Sequence, residues 1–425
     1  MGSEASDIDR EDALTILASM GVKLPKGTKI PAVDLDKRLV QALDGAQQFS
    51  DVVAGLKVPL NPSKWPKWDS SKPLLEAVSR GNPAEAFANA MNKAHRRPEP
   101  STAKEDTFVE VRQILLGFSA HCDQGHKTFV LRDSREEWVV VVRIVDIFSL
   151  GEEPEVPVFS LLYRVITLPS NTTLQDYLGA LFGMTAVVSI STTELERKCI
   201  LKLFAMNSKR ISPEYKPRRE KTESSHRLSF VLPLGPLGMR DLGKLNNSPG
   251  CEICGKRDTS KCTQCLTVSY CGKDCQRADW QEHKKRCRSL KGGTWHTMTF
   301  SRTSELTAPS VYRVIINRYD SLHDAKQRIE KEDLNVPPPN IHGDKAFLLK
   351  FQISLNQFGD DTAMLLYDRQ KSFQVYWRKR EDREVFAEGE KAITGKVRIY
   401  RWARRVGDFQ FSVCFDRAPE KDPVW

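Results

Sequence analysis

Apolar positions along the chain follow helical spacing at the start and strand alternation later. Ala13, Ile16, Leu17 and Met20 recur at three- and four-residue intervals, with Asp9 or Ser6 placed to cap the run and Gly21 to end it. Leu35, Leu39, Ala42, Leu43 and Ala46 repeat the pattern after Pro31. From about residue 106 to 190 the language changes. KTFVLR from Lys127, WVVVVRIVDIF from Trp138, VPVFSLLYRVI from Val156 and TAVVSI from Thr185 are rich in β-branched and aromatic types, which predicts strands. Near the C-terminus the alternation is cleaner, through Phe347, Leu349, Phe351, Ile353 and Leu355, then Phe373, Val375 and Trp377, then Phe409, Phe411, Val413 and Phe415. The intervening stretches read as breaks. NPSKWPKWDSS from Asn61 is a turn-rich loop whose two tryptophans pack on a neighbour, and Pro98 with Pro100 marks a boundary. Residues 207–227 form a solvated basic linker, and LPLGPLGMRDLGKLNNSPG from Leu232 is too rich in Gly and Pro for a regular element. VPPPN at Val336 is a proline loop that follows a short helix, KQRIEKEDL, at 326–334.

The fold class that follows is α+β. Helices occupy 1–100, a β-rich unit 101–245 and a second β-rich unit 292–425, with a small module at 251–287 between them. Pattern alone leaves open whether the two β regions share a sheet.

Composition adds little until the cysteines are counted. The 425 residues carry 65 Lys and Arg against 55 Asp and Glu, a formal +10, with 40% hydrophobic positions. That is an ordinary soluble balance. No run approaches the roughly 18 apolar residues that a membrane span needs. The start, MGSEASDIDREDAL, lacks a basic and then apolar leader, so nucleus or cytoplasm is the expected compartment. Met1, Gly2 and Ser6 fit an acylation pattern, but Asp7 and Asp9 oppose an anionic surface and the match reads as chance. Seven of the ten cysteines fall between Cys251 and Cys287. Cys122, Cys199 and Cys414 are scattered, and the HCDQGH string from His121 to His126 reads as a loop joining two strands rather than a metal site.

The cluster is spaced for metal. Cys251 and Cys254, then Cys262 and Cys265, are separated by two residues, a knuckle that aims both sulfurs at one ion. Cys271 and Cys275, then His283 and Cys287, are separated by three, about one helical turn. An odd number of cysteines argues against a disulfide framework, and His283 completes two sets of four for two structural Zn²⁺ ions. Ligand count alone allows sequential or interleaved pairing. Tyr270 before Cys271, Gln276 after Cys275 and the run ADWQEHKKRC from Ala278 then carry a resemblance to the MYND-type zinc finger. The wider layout resembles MYND-finger proteins of mushroom-forming fungi. The resemblance implies interleaving, with Cys251, Cys254, Cys271 and Cys275 on one zinc and Cys262, Cys265, His283 and Cys287 on the other. It further implies docking of short extended, proline-containing peptides at Thr263, Gln276 and Trp280. Thr263 stands where some relatives have Ser, which keeps the hydroxyl and adds a methyl.

Charge refines this picture. The segment from Cys251 to Leu290 is formally +4, but seven thiolates and two Zn²⁺ bring it to about +1, so its basic helix is a poor nucleic-acid signal. Basic surplus lies instead at 207–227 and at 376–405, where Trp377, Tyr400 and Trp402 are interleaved with Lys396, Arg398 and Arg401. Tyr400 and Trp402 share strand parity with Lys396 and Arg398, which makes RNA or single-stranded DNA an alternative partner. No SET, deaminase, hydrolase or nucleotide-binding signature is legible; an enzyme with an unrecognised site in the β-rich units is the other alternative. The leading expectation is a non-enzymatic zinc adaptor that docks a protein partner in transcriptional or regulatory complexes.

Overall fold

The computed structural model describes residues 8–22, 24, 27–47, 59–79, 107–133, 138–151, 155–168, 173–182, 187–237, 239–246, 250–302, 333, 335–353, 362–369 and 372–419. The acylation pattern, Ser6 as a cap, the Pro98–Pro100 boundary and all but Asp333 of the helix expected at 326–334 lie outside them. Contacts divide the chain into two units, one of Met1–Gly21, Leu35–Leu237 and Asn317–Gln327, the other of Val22–Asp34, Gly238–Ile316 and Arg328–Trp425. The N-terminal helices share a unit with the first β region because their apolar stripes need a sheet to bury against, and the cysteine module shares one with the second.

In the first unit, α1 (Arg10–Ser19) is capped by Asp9, whose carboxylate accepts the Asp12 N–H at 2.8 Å. Gly21 follows at φ +86°, a left-handed position that favours glycine. Leu35, Leu39, Ala42, Leu43 and Ala46 of α2 (Ala32–Ala46) are all buried, as the periodicity predicts. α3 (Leu74–Ser79), α4 (Thr107–Asp123), α5 (Leu174–Phe182) and α6 (Glu194–Ser208) accompany a five-stranded sheet. Its strands are β1 (Thr128–Arg132), β2 (Val139–Leu150), β3 (Val156–Ile166), β4 (Val188–Ser191) and β5 (Arg227–Val231), in the order β4-β1-β2-β3-β5. Only the β4–β1 pair is parallel. α4 packs on α1, α3 and α6, while α3 meets β3 and α6 meets β5. Val139 to Val142 are all fully buried. A run without alternation is what a strand covered on both faces requires.

Three readings of this unit change. His121 and Cys122 sit in the last turn of α4, so HCDQGH ends a helix rather than joining two strands. Residues 207–227 are largely exposed, as expected of a solvated loop, but are anchored to the sheet at a few buried positions. Tyr215 is buried with its hydroxyl 2.9 Å from Ser160 Oγ, and buried Glu223 receives two hydrogen bonds from Arg143. The Trp65 and Trp68 loop does pack on a neighbour, with Trp65 edge-on to Phe148 at 6.4 Å.

In the second unit, α7 (Met239–Asn246) precedes the cysteine module. Its presence corrects the reading of 232–250 as irregular. Gly243 serves close approach rather than helix breaking, since a Cβ there would lie 2.7 Å from Ser372 Cβ. The C-terminal strands are β8 (Trp295–Thr299), β9 (Phe347–Ile353), β10 (Ala363–Asp368), β11 (Gln374–Arg378), β12 (Arg398–Gly407) and β13 (Gln410–Cys414), with α9 (Arg383–Ile393) between β11 and β12. They form one antiparallel sheet ordered β11-β10-β9-β12-β13-β8. The two β regions are therefore separate sheets. Ser301 and Tyr376 exchange reciprocal backbone hydrogen bonds of 2.8 and 2.7 Å, which joins the edge strands and bends the sheet toward closure. The predicted alternation fills its inner face with Phe347, Leu349, Phe351, Val375, Phe411 and Val413, together with Phe386 and Ile393 of α9.

Candidate metal centre

The finger is built from two knuckles, a two-rung ribbon and one helix. In the first knuckle the Gly255 N–H donates to Cys251 O at 2.9 Å and the Cys251 N–H to Lys256 O at 2.8 Å. Gly255 has φ +74°. In the second, the Leu266 N–H donates to Cys262 O at 2.9 Å, with Leu266 itself at φ +56°. A left-handed leucine costs about 1 kcal/mol or more. It persists because the Leu266 carbonyl accepts the Ala346 N–H at 3.0 Å, which ties the knuckle to the chain entering β9. The ribbon pairs β6 (Ser260–Lys261) with β7 (Ser269–Tyr270), and α8 (Lys273–Leu290) carries Cys275, His283 and Cys287.

This geometry settles the pairing. The ribbon returns Cys271 to the first knuckle, 3.4 Å from Cys254 Sγ and 3.6 Å from Cys275 Sγ. Further along α8, His283 Nε2 lies 3.2 Å from Cys265 Sγ and, one turn on, Cys287 Sγ lies 3.9 Å from Cys262 Sγ. Cys251, Cys254, Cys271 and Cys275 form one set and Cys262, Cys265, His283 and Cys287 the other, with ligand atoms in each within 4.8 Å of one another. The interleaved arrangement is the one present.

The donor chemistry fits zinc. Burial opposes ionisation of Cys251, but backbone N–H groups of Cys254, Cys271 and Ile253 outweigh it and bring the thiol down to about 6. Burial and neighbouring sulfurs push Cys275 and Cys287 up to about 12. Four sulfurs this close cannot all ionise unless a cation sits among them, and Zn²⁺ supplies that charge. Burial also holds His283 below its ordinary value, which keeps the imidazole neutral as a ligand must be. Nε2 faces the sulfurs; Nδ1 is buried and has no hydrogen-bond partner. Between the two sets, the Tyr270 hydroxyl donates to Asp279 Oδ2 at 2.6 Å, and both side chains are buried. Sequence reading missed that pair, although Tyr270 and Asp279 both lie in the motif residues.

The finger does not stand free of its unit. Cys251, Cys265, Cys287, Val268 and Leu290 pack with Ala346, Trp402 and Cys414 of the C-terminal β region. The Trp402 Nε1–H donates to Ser289 Oγ of α8 at 3.2 Å. This corrects the aromatic nucleic-acid surface. Tyr400 and Trp402 are each 3% exposed and Trp377 is fully buried, so none of the three rings is available to stack on a base. Arg398 shares their parity and is exposed, but the face is covered at Tyr400 and Trp402. Thr263, Gln276 and Trp280, by contrast, are exposed. Gln276 and Trp280 are four residues apart on α8 and share one face. The Trp280 ring meets His283 edge-on at 5.8 Å yet remains 44% exposed.

Comparison with known proteins agrees with this geometry. Residues 251–287 match the family described as MYND finger, a protein-interaction module. Mouse N-lysine methyltransferase SMYD2 is 31% identical over 133 residues, covering 27% of this chain and 28% of the methyltransferase. The SET domain and MYND-type zinc finger protein 6 of Schizosaccharomyces pombe is 30% identical over 96 residues, 21% of this chain and 18% of that protein. Ubiquitin carboxyl-terminal hydrolase 19 of Arabidopsis thaliana is 38% identical over 48 residues, 11% of this chain and 7% of the hydrolase. The matched segments thus span less than a third of each of these relatives. No solved structure matches it significantly. Among the described residues, no helix is long and apolar enough to cross a membrane.

Proposed function

We propose that this chain is a zinc-folded interaction adaptor whose finger docks a short extended, proline-containing peptide of a protein partner. The observation that carries the reading is Trp280. It is the one exposed aromatic ring among the described residues, on a finger whose opposite side is packed into a β unit. Gln276 on the same helix face supplies an amide able to bond a peptide backbone, and Thr263 in the second knuckle supplies a hydroxyl. A flat ring against proline, flanked by polar groups, is a recurrent form of peptide recognition. The matched relatives are named for different chemistries, a methyltransferase and a ubiquitin hydrolase. A segment shared across such chemistries supports recognition rather than catalysis. Seven reduced thiols suit the nucleus or cytoplasm.

The test is a proline-peptide array read with the native chain beside Trp280→Ala and Gln276→Ala. Both variants should retain two zinc ions, and the bound spots should weaken at least tenfold. Equal binding by native chain and variants, or none by any, refutes the groove.

A further inference from the structure

A second surface of the finger is already occupied by the chain itself. Pro31 biases Ile30 toward extended backbone, and Thr28, Lys29 and Ile30 run without regular structure into α2. The Lys29 N–H donates to the carbonyl of Ile253 at 2.7 Å, and Thr28 Oγ1 donates to the same oxygen at 3.3 Å across 225 positions of sequence. Ile30 is 4% exposed, and its Cγ1 would lie 3.8 Å from a Cβ built on Gly255, so it is seated against the turn of the knuckle. Ile253 is 1% exposed and lies between Cys251 and Cys254. Its carbonyl, within the knuckle between two ligands, accepts both bonds from the segment. One main-chain bond, one hydroxyl bond and one buried aliphatic anchor are the elements by which a domain holds an extended peptide.

We infer that Thr28–Pro31 is an intramolecular ligand of the finger, held on the first knuckle and released when the Cys251, Cys254, Cys271 and Cys275 site loses its metal. This surface is distinct from the Gln276 and Trp280 face, so the inference does not rest on docking of an outside peptide. The coupling must also be reciprocal, because a segment held by a metal-formed turn holds that turn in place.

Hydrogen exchange and zinc release of the full chain test it together. In the zinc-loaded native chain the Lys29 amide is protected. Cys254→Ser, which removes a ligand of the first site only, should speed its exchange at least tenfold. Ile30→Ala, which touches no ligand, should keep both zinc ions at equilibrium. It should nonetheless weaken one of them in equilibrium competition with a chelator by about five- to tenfold, within the usual range of coupling between sites. The inference is overturned if Cys254→Ser leaves Lys29 as protected as in the native chain. It is equally overturned if both ions of the Ile30→Ala chain compete with the chelator as in the native chain. The second variant decides the matter should Cys254→Ser fail to fold.

Discussion

Replacing Trp402 by alanine should destabilise the finger and the C-terminal sheet together. The side chain is 3% exposed, packs with Cys251, Cys265 and Leu290 of the finger, and donates its indole N–H to Ser289. Truncation of a buried tryptophan costs about 3–5 kcal/mol, of which the hydrogen bond accounts for about 1 kcal/mol. Against a typical domain stability of about 5–15 kcal/mol, that is a large loss. Because the cavity opens at the junction, the loss is shared. Zinc competition with a chelator should shift by at least tenfold, up to the roughly hundredfold that 3 kcal/mol allows. Trp402→Phe keeps the ring contact and should show about a quarter of the effect. Val397→Ala, at a side chain 72% exposed, is the control. Urea unfolding followed by tryptophan emission would be read beside chelator competition on the same samples. A lowered unfolding midpoint with a superimposable zinc curve would refute the shared core.

Full chelation of zinc, or Cys275→Ser for one site, should open residues 251–287 to protease, because metal binding supplies about 10 kcal/mol or more per site in such modules. Gly250→Ala should weaken the first site, since its Cβ would lie 2.3 Å from Lys256 O, an atom of the knuckle backbone that cannot retreat; stoichiometry under chelator competition checks this. Gly389→Ala should cost about 1–3 kcal/mol by driving a methyl to 2.5 Å from the Trp377 ring, read as a lower urea midpoint. Acid should destabilise the first unit through His226. Burial, with Arg164, Arg219 and Arg143 nearby and only Glu223 opposing, holds its folded value below the ordinary 6.5. The folded state therefore binds fewer protons, the contribution is complete above about 6.5 and it is lost as pH falls below that. Unfolding midpoints at pH 7.5 and 5.5 should converge in His226→Gln, and an unchanged gap would discount the histidine.

The ligands were legible because metal chemistry is local. Spacing that suits one ion needs no knowledge of the rest of the fold, so all eight positions and their count could be read directly, while the pairing needed either a family resemblance or the ribbon that returns Cys271 to Cys254. Strand faces at Phe347, Leu349 and Phe351 were legible for a similar reason, since alternation reports one covered side. What failed was inference about the other side. Tyr400 and Trp402 carry basic neighbours of the same parity, a pattern that reads as solvent-facing, yet both rings are buried, Trp402 in a core shared with the finger. At 207–227 the exposed charge was legible but the anchors were not, since nothing local marks Glu223 as the partner of Arg143 or Tyr215 as a buried phenol. Thr28 and Lys29 gave no signal, since a hydrogen bond across 225 positions leaves no local periodicity.

The finger's surfaces are therefore unequal, and the inequality limits what it can bind. Its second knuckle is fixed by Leu266 to Ala346, its helix by Ser289 to Trp402, and its first knuckle carries Thr28 to Ile30. Each contact removes polar backbone or apolar side chain from competition for a partner. The early turns of α8, with Gln276 and Trp280, keep an exposed apolar ring beside an exposed amide. Leaving such a ring in water forgoes burial worth up to about 2–3 kcal/mol, while Ile253, Val268 and Leu290 of the same finger are buried in its core. Under the proposed docking function, the partner's peptide meets the start of α8. One that needed either knuckle would first have to displace parts of the chain already hydrogen-bonded there.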